Sequence, residues 1–148
     1  MSKLFDVKYM DLDLNTSEKF ETIKHLANLI DERLIDVDKY VEDVKARESI
    51  STTGIGDGVA IPHAKSSWVK VPTVVVGKSS SGIEWESLDD EPVNIVFLIA
   101  VPENGKNEHL KILQRLAMSL MDDDIKEEIV NATDKKVIEE LLNRNTEG

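Results

Sequence analysis

The run Val93-Asn94-Ile95-Val96-Phe97-Leu98-Ile99-Ala100-Val101 constrains this chain more than any other stretch. Asn94 apart, it is wholly apolar and rich in β-branched residues, which suit the pleated surface of a strand. Successive side chains of a strand point to opposite faces, so a strand that is apolar throughout must be covered on both. That requirement places Val93 to Val101 at the centre of a sheet with helices above and below it. The run is far too short to cross a bilayer, and Pro102 closes it by offering no N–H to a ladder.

The flanking sequence supplies the other layers. Met10, Leu12 and Leu14 alternate with polar residues and predict a short half-buried strand. Asn15 to Ser17 offer cap oxygens to a helix whose Phe20, Ile23, Ala27, Ile30 and Leu34 share one face, with His25 nearly opposite and read as a solvated surface histidine. Asp36 or Asp38 caps a second helix that turns Val37, Tyr40, Val41 and Val44 inward and ends near Arg47 and Glu48. Lys65 to Val71 reads as loop and Thr73 to Gly77 as a buried strand. Ser79 to Gly82 reads as a turn, leading to a return strand carrying Ile83 and a packing Trp85. Asn107 is a cap for a helix with Leu110, Leu113, Leu116, Ala117 and Leu120 inward. Ile125 to Asn131 and Asp134 to Leu142 predict two packing helices, with caps among Asp122 to Asp124 and at Thr133. The expectation is an α/β protein: a three-layer α/β/α sandwich, its mixed central β-sheet flanked by helices, forming a single domain over 1–148.

Composition narrows the function. A chain of 148 residues with 41% hydrophobic content can bury one core. Its 18 Lys and Arg against 29 Asp and Glu leave a formal net charge of −11, which argues against nucleic acid as a partner. The absence of cysteine removes disulfides, thiolate nucleophiles and cysteine metal sites. Met1 to Asp11 has no apolar signal core, so a soluble, cytoplasmic protein is expected.

Chemistry concentrates in Ser51-Thr52-Thr53-Gly54-Ile55-Gly56-Asp57-Gly58-Val59-Ala60-Ile61-Pro62-His63-Ala64. Three glycines alternating over five positions permit positive φ and exposed N–H groups, the makings of an anion-binding nest. Pro62 pushes Ile61 into an extended conformation and ends the strand, which leaves His63 at its tip beside the loop. Arg47 precedes the loop: it reads either as a snorkelling surface arginine or as a guanidinium that forks onto a phosphate. His109 falls in the first turn of its helix on the side of Leu113 and Leu116. It reads either as a satisfied, partly buried histidine or as a second group at an anion site near a helix N-terminus.

Other chemistries lack their motifs. There is no Gly-x-x-x-x-Gly-Lys-Ser/Thr loop and no Gly-x-Ser-x-Gly elbow, and Gly54-x-Gly56-x-Gly58 precedes a strand rather than opening a helix. No His-x-x-x-His or His-x-His pair supports a metal. What remains is a histidine nucleophile facing an anion cradle. Phosphoryl transfer to such a nitrogen needs in-line positioning and donors on the equatorial oxygens, which Thr53, Gly54, Ile55, Gly56 and Gly58 of the loop, with Arg47 and His109, could supply.

Arg47-Glu48 followed by the stretch from Ser51 to Ala64 closely resembles the signature of the fructose/mannitol-type enzyme IIA components of the bacterial phosphoenolpyruvate-dependent sugar phosphotransferase system. The similarity continues through Gly82-Ile83-Glu84-Trp85, Glu91-Pro92-Val93, the apolar strand with Pro102, and Glu108-His109-Leu110 on to Leu116-Ala117. It covers about Leu12 to Leu142. The resemblance implies that His63 accepts a phosphoryl group on Nε2 from the phosphohistidine of the phosphocarrier HPr. The group then passes to a cysteine of a IIB component, which fits a chain with no thiol of its own. It implies that His109 assists, that Arg47 stabilises the phosphate, that no cofactor or metal is needed, and that the membrane component IIC is an indirect partner and sets sugar specificity. The Gly82 to Trp85 and Glu91 to Pro92 segments look more like fructose-type members. Asp57 occupies a variable loop position and is expected to turn outward. The HPr surface is expected to be largely apolar with a charged rim. Nitrogen-related regulatory members keep the same phosphohistidine but act by binding other proteins, which is the alternative reading.

Overall fold

The computed structural model describes residues 5–103, 114–120 and 122–146. The predicted apolar run forms β6 (Val93–Pro102). From Ile95 on, its side chains divide by parity: Ile95, Phe97, Ile99 and Val101 enter one core, and Val96, Leu98 and Ala100 the other, which Val93 at the strand's start also joins. Phe97, Val96 and Leu98 are fully buried, each worth about 1.5–3 kcal/mol relative to exposure.

The remaining strands are β1 (Phe5–Asp11), β2 (Gly54–Gly56), β3 (Val59–Ala60), β4 (His63–Ser66) and β5 (Thr73–Ile83). They build a mixed sheet in the order β1-β5-β6-β3-β2, with β4 also paired to β6. β1 runs parallel to β5, β5 antiparallel to β6, β3 and β4 parallel to β6, and β2 antiparallel to β3. Helices α1 (Lys19–Leu29) and α2 (Val37–Ile50) cover one face through Ile23, Leu26, Tyr40, Val41 and Val44. The other face is covered by α3 (described over 114–119), α4 (Asp123–Asn131) and α5 (Lys135–Thr146), through Leu116, Ile129, Ile138 and Leu142. The expected three-layer sandwich is therefore the observed one.

Several local expectations are corrected. The first strand ends at Asp11 and begins at Phe5, because its ladder to β5 runs from Phe5↔Val74 to Asp11↔Gly77; Leu14 lies beyond it and donates its N–H to the Lys78 carbonyl at 2.9 Å. Glu18, not Asn15 to Ser17, caps α1 by accepting the Glu21 N–H. The stripe also stops early: Ile30 is the C-cap, and a 3₁₀ turn over Asp31–Arg33 separates Leu34 from the helix. Asp36 caps α2, which continues to Ile50.

Ser79 to Gly82 is not a turn. β5 continues to Ile83 because its antiparallel partner is β6, so the hairpin turn falls between Ile83 and Val93, and an irregularity in register between Lys78 and Ile83 absorbs the small residues. Trp85 is fully buried, as a packing residue should be. His25 is only partly solvated, since its Nε2 lies 2.8 Å from Asp11 Oδ2 and so ties α1 to the end of β1.

Candidate active site

The glycine loop is a tight hairpin. Gly54 pairs with Ala60 and Gly56 with Val59, which leaves Asp57 and Gly58 as the two turn residues. Both have positive φ, 56° and 78°, as a type I′ turn requires, and Asp-Gly is among the sequences that favour it. The expected open nest is thus replaced in part by paired backbone. At the tip, Asp57 N–H donates to Asp89 Oδ2 at 3.0 Å, and the Asp57 carboxylate faces Lys126 of α4 at 3.4 Å. Asp57 is turned outward, its side chain 78% exposed. The N–H groups of Asp57 and Glu91 together hold the Asp89 carboxyl below its ordinary value.

His63 begins a strand rather than ending one, and Lys65 and Ser66 belong to that strand rather than to a loop. The ladder partners on β6 advance one for one from Val59↔Ile95 and Ala60↔Val96 to His63↔Ile99 and Ser66↔Pro102. β3 and β4 are therefore one strand in continuous register, interrupted where Pro62 has no N–H to give. The Pro62 carbonyl keeps its place in the ladder by accepting the Ile99 N–H at 2.9 Å. Continuous register also preserves the pleat, so His63 has the parity of Val59 and Ile61, both of which pack toward the core beneath α3 to α5. The half-buried His63 consequently stands on the α3 side of the sheet.

The ring is oriented by its own strand. His63 Nδ1 lies 2.8 Å from the Ile61 carbonyl oxygen. A carbonyl only accepts, so Nδ1 carries the proton and the neutral ring keeps its lone pair on Nε2.

The other expected site residues divide. Thr53 directs both of its donors away from any anion: its N–H reaches Glu48 Oε2 at 3.0 Å and its hydroxyl donates to Glu48 Oε1. Gly54 N–H is taken by Thr52 Oγ1 at 3.1 Å. Arg47, near the end of α2, gives a guanidinium N–H to the Ser51 carbonyl at 3.0 Å and so secures the start of the loop. Ile55 is half-buried against the core on the His63 side. His109, together with the start of its helix, lies outside the described residues. Among the described residues, no three His, Asp or Glu side chains gather closely enough to hold a metal ion.

Glu48 entered the sequence reading as a helix end and as part of the signature but not as a site residue, although it is buried. The Asp57-Gly58 dipeptide was the available signal for the hairpin.

The structure thus joins a mixed α/β sandwich, a glycine hairpin and a half-buried histidine whose Nδ1 is bonded by its own strand. The family model described as "Phosphoenolpyruvate-dependent sugar phosphotransferase system, EIIA 2" matches residues 3–145. The chain belongs to this family. It is 39% identical over 110 residues to the PTS system fructose-specific EIIA component of Haloferax volcanii, covering 74% of this chain and 71% of that protein. It is 35% identical over 147 residues to the PTS system fructose-specific EIIABC component of Bacillus subtilis, covering 98% of this chain but only 23% of that relative's length. Among solved structures, the nitrogen regulatory protein IIA-Ntr of Neisseria meningitidis superposes with a TM-score of 0.87 at 27% identity, covering 94% of this chain and 96% of that one.

Proposed function

We propose that this chain, as a single domain, is a phosphoryl carrier of the sugar phosphotransferase system. His63 Nε2 attacks the phosphorus of phospho-HPr, the donor's N–P bond breaks, and the donor imidazole recovers the electron pair. The phosphoryl group then passes to a cysteine sulfur of a IIB component, for the uptake and phosphorylation of a sugar, fructose, through the membrane component IIC. The observation that carries this reading is the Nδ1–H to Ile61 carbonyl bond, which leaves Nε2 as the nucleophilic nitrogen. The same carbonyl faces the positive charge that the ring takes when Nε2 is phosphorylated, so it favours the intermediate.

Two further observations support it. Ile50 and Leu88 are 79% and 73% exposed and flank the hairpin, Ile50 just before Ser51 and Leu88 through its N–H to the Gly54 carbonyl; they give a partner apolar ground beside the hairpin. No helix among the described residues is long and apolar enough to cross a membrane, in keeping with a cytoplasmic carrier. Arg47 and His109 are assigned assisting roles. The fructose-specific relatives support the sugar.

Incubation with phosphoenolpyruvate, enzyme I and HPr should label the protein, with the phosphorus NMR signal of Nε2-phosphohistidine. His63→Ala should take no label; full labelling of that variant would overturn the assignment. The regulatory reading is favoured by the IIA-Ntr superposition. It predicts labelling without onward transfer to a fructose-type IIB, whereas the carrier reading predicts transfer.

A further inference from the structure

Glu48 closes the last full turn of α2 with its side chain only 1% exposed. Its two carboxylate oxygens grasp one residue of the loop, taking the N–H and the hydroxyl of Thr53. Lys19 of α1 lies 3.8 Å away and balances the buried charge, while also reaching Glu86 at 3.6 Å. A buried carboxylate held by two donors and a cation is a well-defined anchor, because moving it would strand a charge away from water.

The anchor is linked to the nucleophile. Thr53, fixed by Glu48, uses its carbonyl to accept the Ile61 N–H at 3.0 Å. Ile61 in turn uses its carbonyl to accept His63 Nδ1–H at 2.8 Å. The residue whose carbonyl sets the tautomer of the imidazole is thus held, through its N–H, by the residue that Glu48 holds. We propose that Glu48 is a positioning residue for His63, acting through Thr53 and Ile61; this rests on the carrier reading above. Glu48 touches neither phosphate nor partner. It fixes the Ile61 carbonyl so that the ring stays in the Nδ1–H form, with Nε2 presented for attack.

The test is Glu48→Gln, which keeps volume but offers one acceptor where Thr53 presents two donors. Labelling by phospho-HPr should slow about tenfold or more, since small misplacements of a nucleophile cost rate steeply. KM for phospho-HPr should stay unchanged, because Glu48 is buried away from the surface. Nitrogen-15 NMR of His63 should change from one tautomer, protonated on Nδ1, to a mixture. Thr53→Ser should preserve both rate and tautomer, and Thr53→Val, which keeps only the N–H, should fall between wild type and Glu48→Gln. Glu42→Gln, exposed on the same helix, should match wild type.

A folded Glu48→Gln with wild-type rate and a single tautomer overturns the proposal. If that variant does not fold, Thr53→Val with an unaltered tautomer overturns it as well. If wild type takes no label but Glu48→Gln still redistributes the tautomers, the positioning role stands and the carrier reading fails.

Discussion

Gly54→Ala tests how closely the hairpin is seated. A Cβ at Gly54 would lie 2.4 Å from Ser87 Oγ, 2.9 Å from Trp85 Cδ1 and 3.0 Å from Ser87 Cα. The hydroxyl can rotate away. Trp85 cannot, since it is fully buried, and Ser87 Cα is backbone tied to β2 through the neighbouring Leu88 N–H on the Gly54 carbonyl. Ordinary contact begins at 3.4 Å, so β2 must withdraw by about half an ångström, and overpacking of this kind costs about 1–3 kcal/mol. Taking about 2 kcal/mol, and about 2–4 °C per kcal/mol for a chain of this size, the melting temperature should fall by about 4–8 °C. Urea unfolding, followed by near-ultraviolet circular dichroism, measures the loss directly. Because Thr53 adjoins Gly54 and holds Ile61, labelling of His63 should slow in the same variant. Adding Ser87→Ala should recover only a part, since the contacts with Trp85 and Ser87 Cα remain. A Gly54→Ala protein within about 0.5 kcal/mol of wild type, the range of ordinary surface changes, would refute the reasoning.

Two further outcomes are expected. Burial would raise the Asp11 carboxyl, but the hydrogen bonds from His25 and the Asp13 N–H, with the charges of His25 and Lys135, hold it below the ordinary value. Its contribution to stability is therefore present above the unfolded-state value and lost as pH falls through the folded one, so Asp11→Asn should flatten urea midpoints measured across that acid range. In Asp89→Asn, one of the Asp57 and Glu91 N–H groups would meet an amide NH₂ in place of a carboxylate oxygen, and hydrogen exchange at the Asp57 or Glu91 amide should quicken; unchanged protection at both would discount Asp89 as the latch of the hairpin.

The layered fold was legible because it follows from local pattern. An apolar strand demands two covers, and the helical stripes of α1 and α2 and the hydrophobic spacing around Leu116, Ile129 and Ile138 supply them. The residue proposed as the nucleophile, His63, also stood out, because it follows a long and specific signature. Pairing was less so. A proline was expected to end the strand, but register along β6 carries it past Pro62, since one missing N–H interrupts a ladder that neighbouring carbonyls and amides maintain. Likewise Ser79 to Gly82 has turn composition yet lies in β5, where cross-strand partners outweigh local preference.

What the sequence by itself determined is a three-layer α/β chain with a histidine beside a glycine loop, because periodicity and signature are properties of neighbours along the chain. Tertiary structure alone decided which ring nitrogen of His63 is bonded to the Ile61 carbonyl and which side chain anchors the loop behind it. That depends on Glu48, Thr53 and Ile61 meeting from α2, the loop and β3's extension, and hydrogen bonds between segments distant in sequence leave no periodic trace in it.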